Sequence, residues 1–537
     1  MPVPIIDLFA GPGGLGEGFS RARSADFHVA VSIEKDEMAF ETLQLRAAHR
    51  ALIRSQQAQR MTWGTWDSIL AGTPWNVAFE MLCACGDPAI TAACKTARQE
   101  AWNLELGPQN RDLVRSGIAD RLGQFPKRGR LPGNSVLIGG PPCQAYSIVG
   151  RSRNRGTEGY KAENDHRHFL YREYLRVIRD FSPAVFVMEN VKGILTARVD
   201  DNHIFHSITS DLKRPDIACG DDVGLEYVLT ALPHGSTTLF DPQPSDFIVE
   251  AESFGVPQAR HRVVICGVRR DVMDRAGGIG HLESSEPHTV AETIGDLPRL
   301  RPALSFRGRG QDWTDFLSSP LKNDAVRGLR ATRDPLRRRV ADRIESTVRQ
   351  IRGGTDPGIG SDRLLLGKAN LPSPQALGAW YRDRPVSLLA NHECRSHMPS
   401  DLVRYLFVSA YGREVGHSPK LADFPMCLLP EHRNVDPMAP DNSIFKDRFR
   451  VQIAGTHAMT VTSHIAKDGH AFIHYDETQC RSMTVREAAR LQTFPDSYVF
   501  LGNRTSQFTQ VGNAVPPYLA VQIAELVGSV LSRAGMS

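Results

Sequence analysis

Apolar residues in the first half of this chain come in short blocks bounded by turn formers, and the blocks alternate with stretches of helical period. Residues 4–9 predict a strand, a glycine-rich turn follows from Gly11 to Gly18, residues 28–34 predict a second strand, and 37–50 a helix. Together they form a βαβ half-unit. The alternation resumes with strands over 135–138 and 184–190, a helix over 165–181 between them, and two further strands over 246–250 and 263–268. Residues 51–131 are less regular, with Trp63, Trp66, Trp75, Trp102 and the cluster Cys83, Cys85, Cys94, and read as an insertion. After Arg270 the chain turns rich in loops for about two hundred residues, until helical spacing returns over 484–491 and 519–531. This pattern predicts an α/β fold. A doubly wound, mostly parallel sheet is expected over 1–270 (with 51–131 inserted), a smaller loop- and strand-rich domain over 271–480, and a closing segment over 481–537.

Composition narrows the class without choosing a chemistry. The 537 residues are 41% hydrophobic and 23% charged, ordinary for a globular protein. No apolar run is long enough to cross a bilayer, and the N-terminus lacks the basic start and cleavage site of a signal peptide, so a cytoplasmic protein is expected. Nine scattered cysteines suit a reducing compartment rather than a disulfide framework. A net charge of +4 decides no partner. Arginines crowd residues 299–352, however, including the triplet Arg337-Arg338-Arg339. Such a run suits a phosphate backbone or, equally, a solvated helix with Asp334, Asp342 and Glu345 interleaved.

Three elements carry candidate chemistry. Gly11, Gly13 and Gly16 follow the first strand as G-x-G-x-x-G, and Glu34 ends the second, 18 residues after Gly16. Glycines there permit a tight turn and close approach of a cofactor, and a carboxylate so placed can take the hydroxyls of a ribose. In Gly139-Gly140-Pro141-Pro142-Cys143-Gln144 a thiol follows directly on a strand end, where open α/β sheets bind ligands. Cys143 is therefore a candidate nucleophile, or else a small buried hydrophobe. Glu189 ends another strand; desolvation there favours the neutral acid, while the plainer role is a cap on the next turn. In Gln258-Ala259-Arg260-His261-Arg262, period-2 alternation puts both arginines on one face entering a buried strand, which is costly unless they are paired or bound to a ligand.

These blocks resemble the ordered motifs of the cytosine-C5 DNA methyltransferase family. Residues 7–14 resemble its S-adenosylmethionine loop, Pro142-Cys143-Gln144 its nucleophile motif, and Glu189-Asn190-Val191 its acid motif. Residues 258–262 resemble its Gln-x-Arg-x-Arg, 484–495 the late motif closing the recognition domain, and 510–517 the final motif that returns to the cofactor pocket. The resemblance implies a class I, Rossmann-like S-adenosylmethionine-dependent fold with a target recognition domain over 271–480. It implies catalysis by Cys143, Glu189, Arg260 and Arg262. The cofactor would be held by Asp7, Phe9, Ala10, Gly11, Gly13, Gly14, Leu15, Glu34, Pro141, Asn513 and Val515. It also implies base flipping from double-stranded DNA, with the basic loop at 151–155 closing over phosphates. A modification enzyme, with a cognate restriction endonuclease as candidate partner, is the expected setting, and a monomer the expected state.

Two departures from the family pattern stand out. Asp120, in Ser116-Gly117-Ile118-Ala119-Asp120, is displaced from the place after the third strand where an adenine-contacting aspartate is usual, and Asn134-Ser135 replaces an aspartate before the nucleophile strand. No metal is expected, since Cys83-x-Cys85…Cys94 and His392-x-Cys394-x-x-His397 lack structural-zinc spacing. Rival readings are an RNA cytosine methyltransferase, a silent DNA-binding regulator on the same scaffold, and a nicotinamide oxidoreductase. The last leaves Cys143, Glu189 and residues 258–262 without work.

Overall fold

The computed structural model describes residues 2–56, 60–123, 133–142, 170–199, 202–234, 242–305, 310, 312–366, 377–384, 387–430, 449–467 and 469–537. Cys143, Gln144, the basic loop at 151–155 and the predicted helix start at 165–169 lie outside these residues. The chain forms two compact units. The first comprises Met1–Ile69, Thr73–Glu286 and Asn513–Ser537, and the second Leu70–Gly72 and Pro287–Gly512.

The first unit is built on one eight-stranded sheet. Its strands are β1 (Val3–Leu8), β2 (Phe27–Glu34), β3 (Ala101–Asn103), β4 (Val136–Gly139), β5 (Val185–Val191), β6 (Tyr227–Ala231), β7 (Ile248–Glu250) and β8 (His261–Arg269). They are ordered β3-β2-β1-β4-β5-β8-β6, with β7 also paired to β8. The five from β3 to β5 run parallel and β8 runs antiparallel to its neighbours. Side chains alternate between two apolar layers: Val3 and Ile5 join one core, Ile6 and Leu8 the other. A parallel sheet covered on both faces needs such near-continuous apolar runs. Winding reverses between β1 and β4, so their carboxyl ends open the crevice where this architecture binds ligands.

Helix α1 (Gly14–Arg21) follows β1, and α2 (Glu37–Arg54) follows β2. Then come α3 (Arg60–Gly72), α4 (Trp75–Cys83), α5 (Pro88–Glu100), α6 (Arg111–Leu122) and, before β5, α7 (Leu170–Phe181). The segment read as an insertion over 51–131 is thus part sheet. β3 pairs with β2 through Ser32, Ile33 and Glu34, and among the described residues α3 to α5 are what is added between sheet elements. Three residues are too few for an alternation to register.

The C-terminal helix (Pro517–Arg533) packs on α1 so closely that a Cβ at Gly18 would lie 2.4 Å from the Ala520 Cβ. Among the described residues, the helical stretch Arg504–Arg533 has the length and apolarity to cross a membrane. Within that stretch Leu519, Ile523, Val527 and Leu531 belong to the protein core, which accounts for its apolar face.

The unit boundaries also depart from the expected ones. Ile279 and Leu282, beyond Arg270, belong to the core of the first unit, and residues 481–512 belong to the second. The second unit is loop-rich, but helices carry its core: α8 (Pro320–Arg330), α9 (Pro335–Gly353) and α10 (Pro399–Val415). Its strands are short pairs, β9 (Ala303–Leu304) with β12 (Ser396–His397) and β10 (Gly360–Leu365) with β11 (Leu388–Glu393). Helix α11 (Val485–Leu491) begins with a capping box between Thr484 and Glu487.

Candidate active site

The turn after β1 is shaped for backbone approach. Phe9, Gly11 and Gly13 have φ of 56°, 57° and 97°, and Gly13 caps α1 in a left-handed conformation. A Cβ at Gly11 would meet nothing within 4 Å, so the space beside the loop is open. At Gly14 it would stand 2.2 Å from the Val515 carbonyl oxygen, so the segment after Asn513 does come back onto the loop. Glu34 lies at the same place: its Oε2 accepts from the Gly11 N–H (2.8 Å), and its Oε1 from the N–H groups of Lys35 (2.9 Å) and Asp36 (2.8 Å). Carboxylate oxygens have lone pairs to spare beyond these bonds.

Asp7 is placed differently from the rest of this set. It is 1% exposed beneath α1, its Oδ2 3.0 Å from where a Gly16 Cβ would be, and neither oxygen has a hydrogen-bond partner. Burial pushes its carboxyl well above the usual carboxylate range, with Arg50 opposing. Asp120 sits exposed near the end of α6, not after β3; Asn103, Leu104 and Glu105 occupy that place. The Asn103 side-chain amide donates to the carbonyls of Glu34 (3.1 Å) and Lys35 (3.2 Å), so a polar residue stands beside the glycine loop after all.

On the other side of the crevice, antiparallel register sets Val264 opposite Glu189 and Arg262 opposite Val191. Arg262 Nε then reaches Glu189 Oε1 at 3.0 Å, with side chains 16% and 13% exposed. Glu189 Oε2 lies 3.1 Å from the position of a Gly140 Cβ, which places the acid at the turn after β4. Asn190, 4% exposed, donates from Nδ2 to the Pro141 carbonyl (3.0 Å) and accepts from the Val191 N–H (2.9 Å). The lead-in to Cys143 is thereby tied to the strand that carries Glu189. The sequence shows Asn190 only as part of Glu189-Asn190-Val191, and its partners emerge with the fold, because a buried amide must be satisfied by whatever turn lies beside it.

Arg260 is 1% exposed, and burial, reinforced by the charge of Arg262, pushes its guanidinium well below the usual range, Glu189 opposing. Glu252 fixes the peptide between the arginines. Its Oε2 accepts from the Arg260 N–H (3.2 Å), and its Oε1 lies 2.6 Å from His261 Nε2. The two cysteine- and histidine-bearing segments are engaged elsewhere. Cys94 is buried beside Cys83, which raises its thiol. In the second unit, His392 contacts Thr484 Oγ1 (3.0 Å) and the Pro298 carbonyl (2.9 Å), and His397 contacts Ser482 Oγ (3.1 Å).

Strand order, glycine loop and returning C-terminal segment are those of a class I methyltransferase. The family model described as C-5 cytosine-specific DNA methylase matches residues 119–219 and 406–529. The type II methyltransferase M.Bpa9945I of Bacillus paralicheniformis is 30% identical over 533 residues, 98% of this chain and 99% of that one. The DNA (cytosine-5-)-methyltransferase M.ApeKI of Aeropyrum pernix is 28% identical over 424 residues, 74% and 81% of the two chains. The type II methyltransferase M.AgeI of Thalassovita gelatinovora is 27% identical over 432, covering 75% and 85%. The chain belongs to the C-5 cytosine-specific DNA methylase family, and it is an enzyme of that kind.

Proposed function

We propose that this enzyme methylates C5 of a cytosine within a short sequence of duplex DNA, with S-adenosylmethionine as donor, as the modification partner of a restriction endonuclease. The observation that carries the reading is the Glu189–Arg262 pair held beside Gly140 and, through Asn190, to Pro141. The open loop at Gly11, flanked by Glu34 and closed at Gly14 by Val515, fits an adenosyl group with its ribose at Glu34. When bound, that cofactor supplies a sulfonium-activated methyl group.

Cytosine C5 becomes nucleophilic only after the ring is activated. The Cys143 thiolate adds to C6, and the displaced electron pair of the C5–C6 bond is delocalised toward N3 and the carbonyl oxygen. Glu189 donates at N3 through Oε2, the oxygen Arg262 does not hold, and a guanidinium answers the charge at the carbonyl oxygen. C5 takes the methyl group. Loss of the C5 proton to solvent water, with the N3 proton returning to Glu189, then restores the double bond and expels Cys143 as thiolate. Arg260 and Arg262 add positive charge that favours the thiolate form. The reacting atoms lie inside a stacked duplex, so the base is flipped out first.

The test is methyl transfer from radiolabelled cofactor to duplex DNA, with bisulfite sequencing of the product. Cys143→Ala should abolish transfer while cofactor still binds, and 5-fluorocytosine DNA should be trapped on Cys143. A Cys143→Ala enzyme with near-normal turnover, or an adduct mapped to another residue, refutes the mechanism.

A further inference from the structure

The arginine-rich segment of the sequence is a helical hairpin, α8 and α9, whose Val326, Leu329, Val340, Ile344 and Val348 belong to the core of the second unit. Burying that stripe turns the opposite face outward. From Pro320 to Gly353 the hairpin carries ten basic and four acidic residues, a larger surplus than the +4 of the whole chain.

Each of the four acids already has a partner. Asp324 pairs with Arg327 (3.3 Å), Asp334 with Arg337 (4.0 Å), Asp342 with Arg330 (2.8 Å) and Glu345 with Lys322 (3.1 Å). Arg339 and Arg343 share Glu414. Arg333, Arg338, Arg349 and Arg352 remain, all exposed and without an ion-pairing carboxylate among the described residues. Arg338 donates to the Thr332 carbonyl (3.1 Å) and Arg352 to Ser318 Oγ, so neither is neutralised. A merely solvated helix pairs its charges off; this one leaves four guanidiniums over. Arg338 and Arg349 are eleven residues apart on the outward side of α9, about 16 Å at the helical rise. That is long enough to follow several phosphates of a duplex, which carries one charge per about 1.7 Å of axis.

We propose that the outward face of this hairpin holds the phosphate backbone of duplex DNA, adding affinity without reading bases. The inference rests on DNA being the substrate. The test compares the salt dependence of binding to a duplex, by fluorescence anisotropy, for four proteins: wild type, R338Q/R349Q, R338K/R349K, and R98Q/R275Q. The last removes equal charge from exposed ion pairs of the first unit. Glutamine suits an exposed helix, so the fold should survive.

Each lost phosphate contact lowers the slope of log affinity against log salt by about 0.9. R338Q/R349Q should therefore lose about 2 from the slope, which makes its affinity about tenfold less sensitive than wild type to a rise from 50 to 200 mM salt. R338K/R349K and R98Q/R275Q should keep the wild-type slope. An unchanged slope in R338Q/R349Q, or an equal loss in R98Q/R275Q, overturns the inference and leaves the methyltransferase reading standing. Wild-type protein that binds no duplex at any salt overturns that reading instead.

Discussion

Asn190→Ala isolates the link between the strand that carries Glu189 and the turn before Cys143. The asparagine is 4% exposed and makes two bonds, to the Pro141 carbonyl at 3.0 Å and from the Val191 N–H at 2.9 Å. Alanine leaves both backbone groups without that partner, at about 1–3 kcal/mol for each group that stays buried and unsatisfied, so about 2–6 kcal/mol of stability is at stake. The catalytic cost should be larger than the stability cost suggests, because Pro141 is two residues before Cys143 and a misplacement of about 1 Å can cost about a hundredfold in rate. Urea denaturation gives the first quantity. The rate of covalent trapping on 5-fluorocytosine DNA, at saturating DNA and cofactor, gives the second. Trapping should slow by about ten- to a hundredfold, with cofactor affinity within about twofold of wild type, since the glycine loop is untouched. If the variant is destabilised as calculated but traps at the wild-type rate, Asn190 is a strut of the sheet and does not position the nucleophile.

Two further perturbations probe other parts of the molecule. Gly14→Ala puts a Cβ 2.2 Å from the Val515 carbonyl, and backbone must move; a loss of about 1–3 kcal/mol is expected, with a fall in cofactor affinity that isothermal titration would detect. Near-native affinity would mean the returning segment is dispensable to the pocket. In the second unit, burial pushes His392 and His474 down to about 4 and His397 to about 3. Glu487 does not hold His474 protonated, because Arg481 already bonds that carboxylate at 2.6 and 2.8 Å. Unfolding releases these rings to take up protons below about pH 6.5. Their stabilisation is therefore complete above that pH and falls as pH drops toward 4, by about 1.4 kcal/mol per unit for each ring. Urea midpoints at pH 7, 5.5 and 4.5 measure it, and midpoints that do not move would contradict the burial of all three.

The parallel half of the sheet was readable because strands buried on both faces leave continuous apolar runs, as in Val3–Leu8 and Val185–Val191. The alternation through Arg260 and Arg262 was visible as well, but not which of the two arginines meets Glu189. That depends on the antiparallel register of β5 and β8, strands some seventy residues apart in the chain. The helices of the second unit were only partly legible: the arginine run read equally as a solvated helix or a phosphate-binding stretch, and α10 was not marked at all. In α9 the stripe Val340, Ile344, Val348 is diluted by arginines, while α10 is buried on nearly every side from Leu402 to Gly412 and shows no stripe at all. The late motif is grouped with the closing segment by its resemblance alone, and its helix carries Arg486, Glu487 and Arg490 in seven residues. Its buried partner is Arg481, which pairs with Glu487, and both lie in the second unit.

The inserted helices gain a purpose from the charges beneath the glycine loop. Glu17, in the first turn of α1, is 1% exposed. Burial alone would raise its carboxyl, yet Arg46, bonded at 2.6 and 2.9 Å with Arg21 and Arg50 nearby, brings it down to about 2. Arg50 lies 3.7 Å from that carboxylate and bonds Glu100, the last residue of α5. A buried guanidinium needs full compensation, since losing one partner of such a pair costs about 3–5 kcal/mol. One glutamate already engaged by Arg46 cannot satisfy two arginines. Glu100 supplies the second carboxylate, and it reaches Arg50 because α5 packs along α2 and runs directly into β3. The added helices thus end by completing the ion network on which the helix behind Gly13 rests. Shortening them without a replacement for Glu100 would leave a buried charge under the glycine loop rather than a trimmed surface.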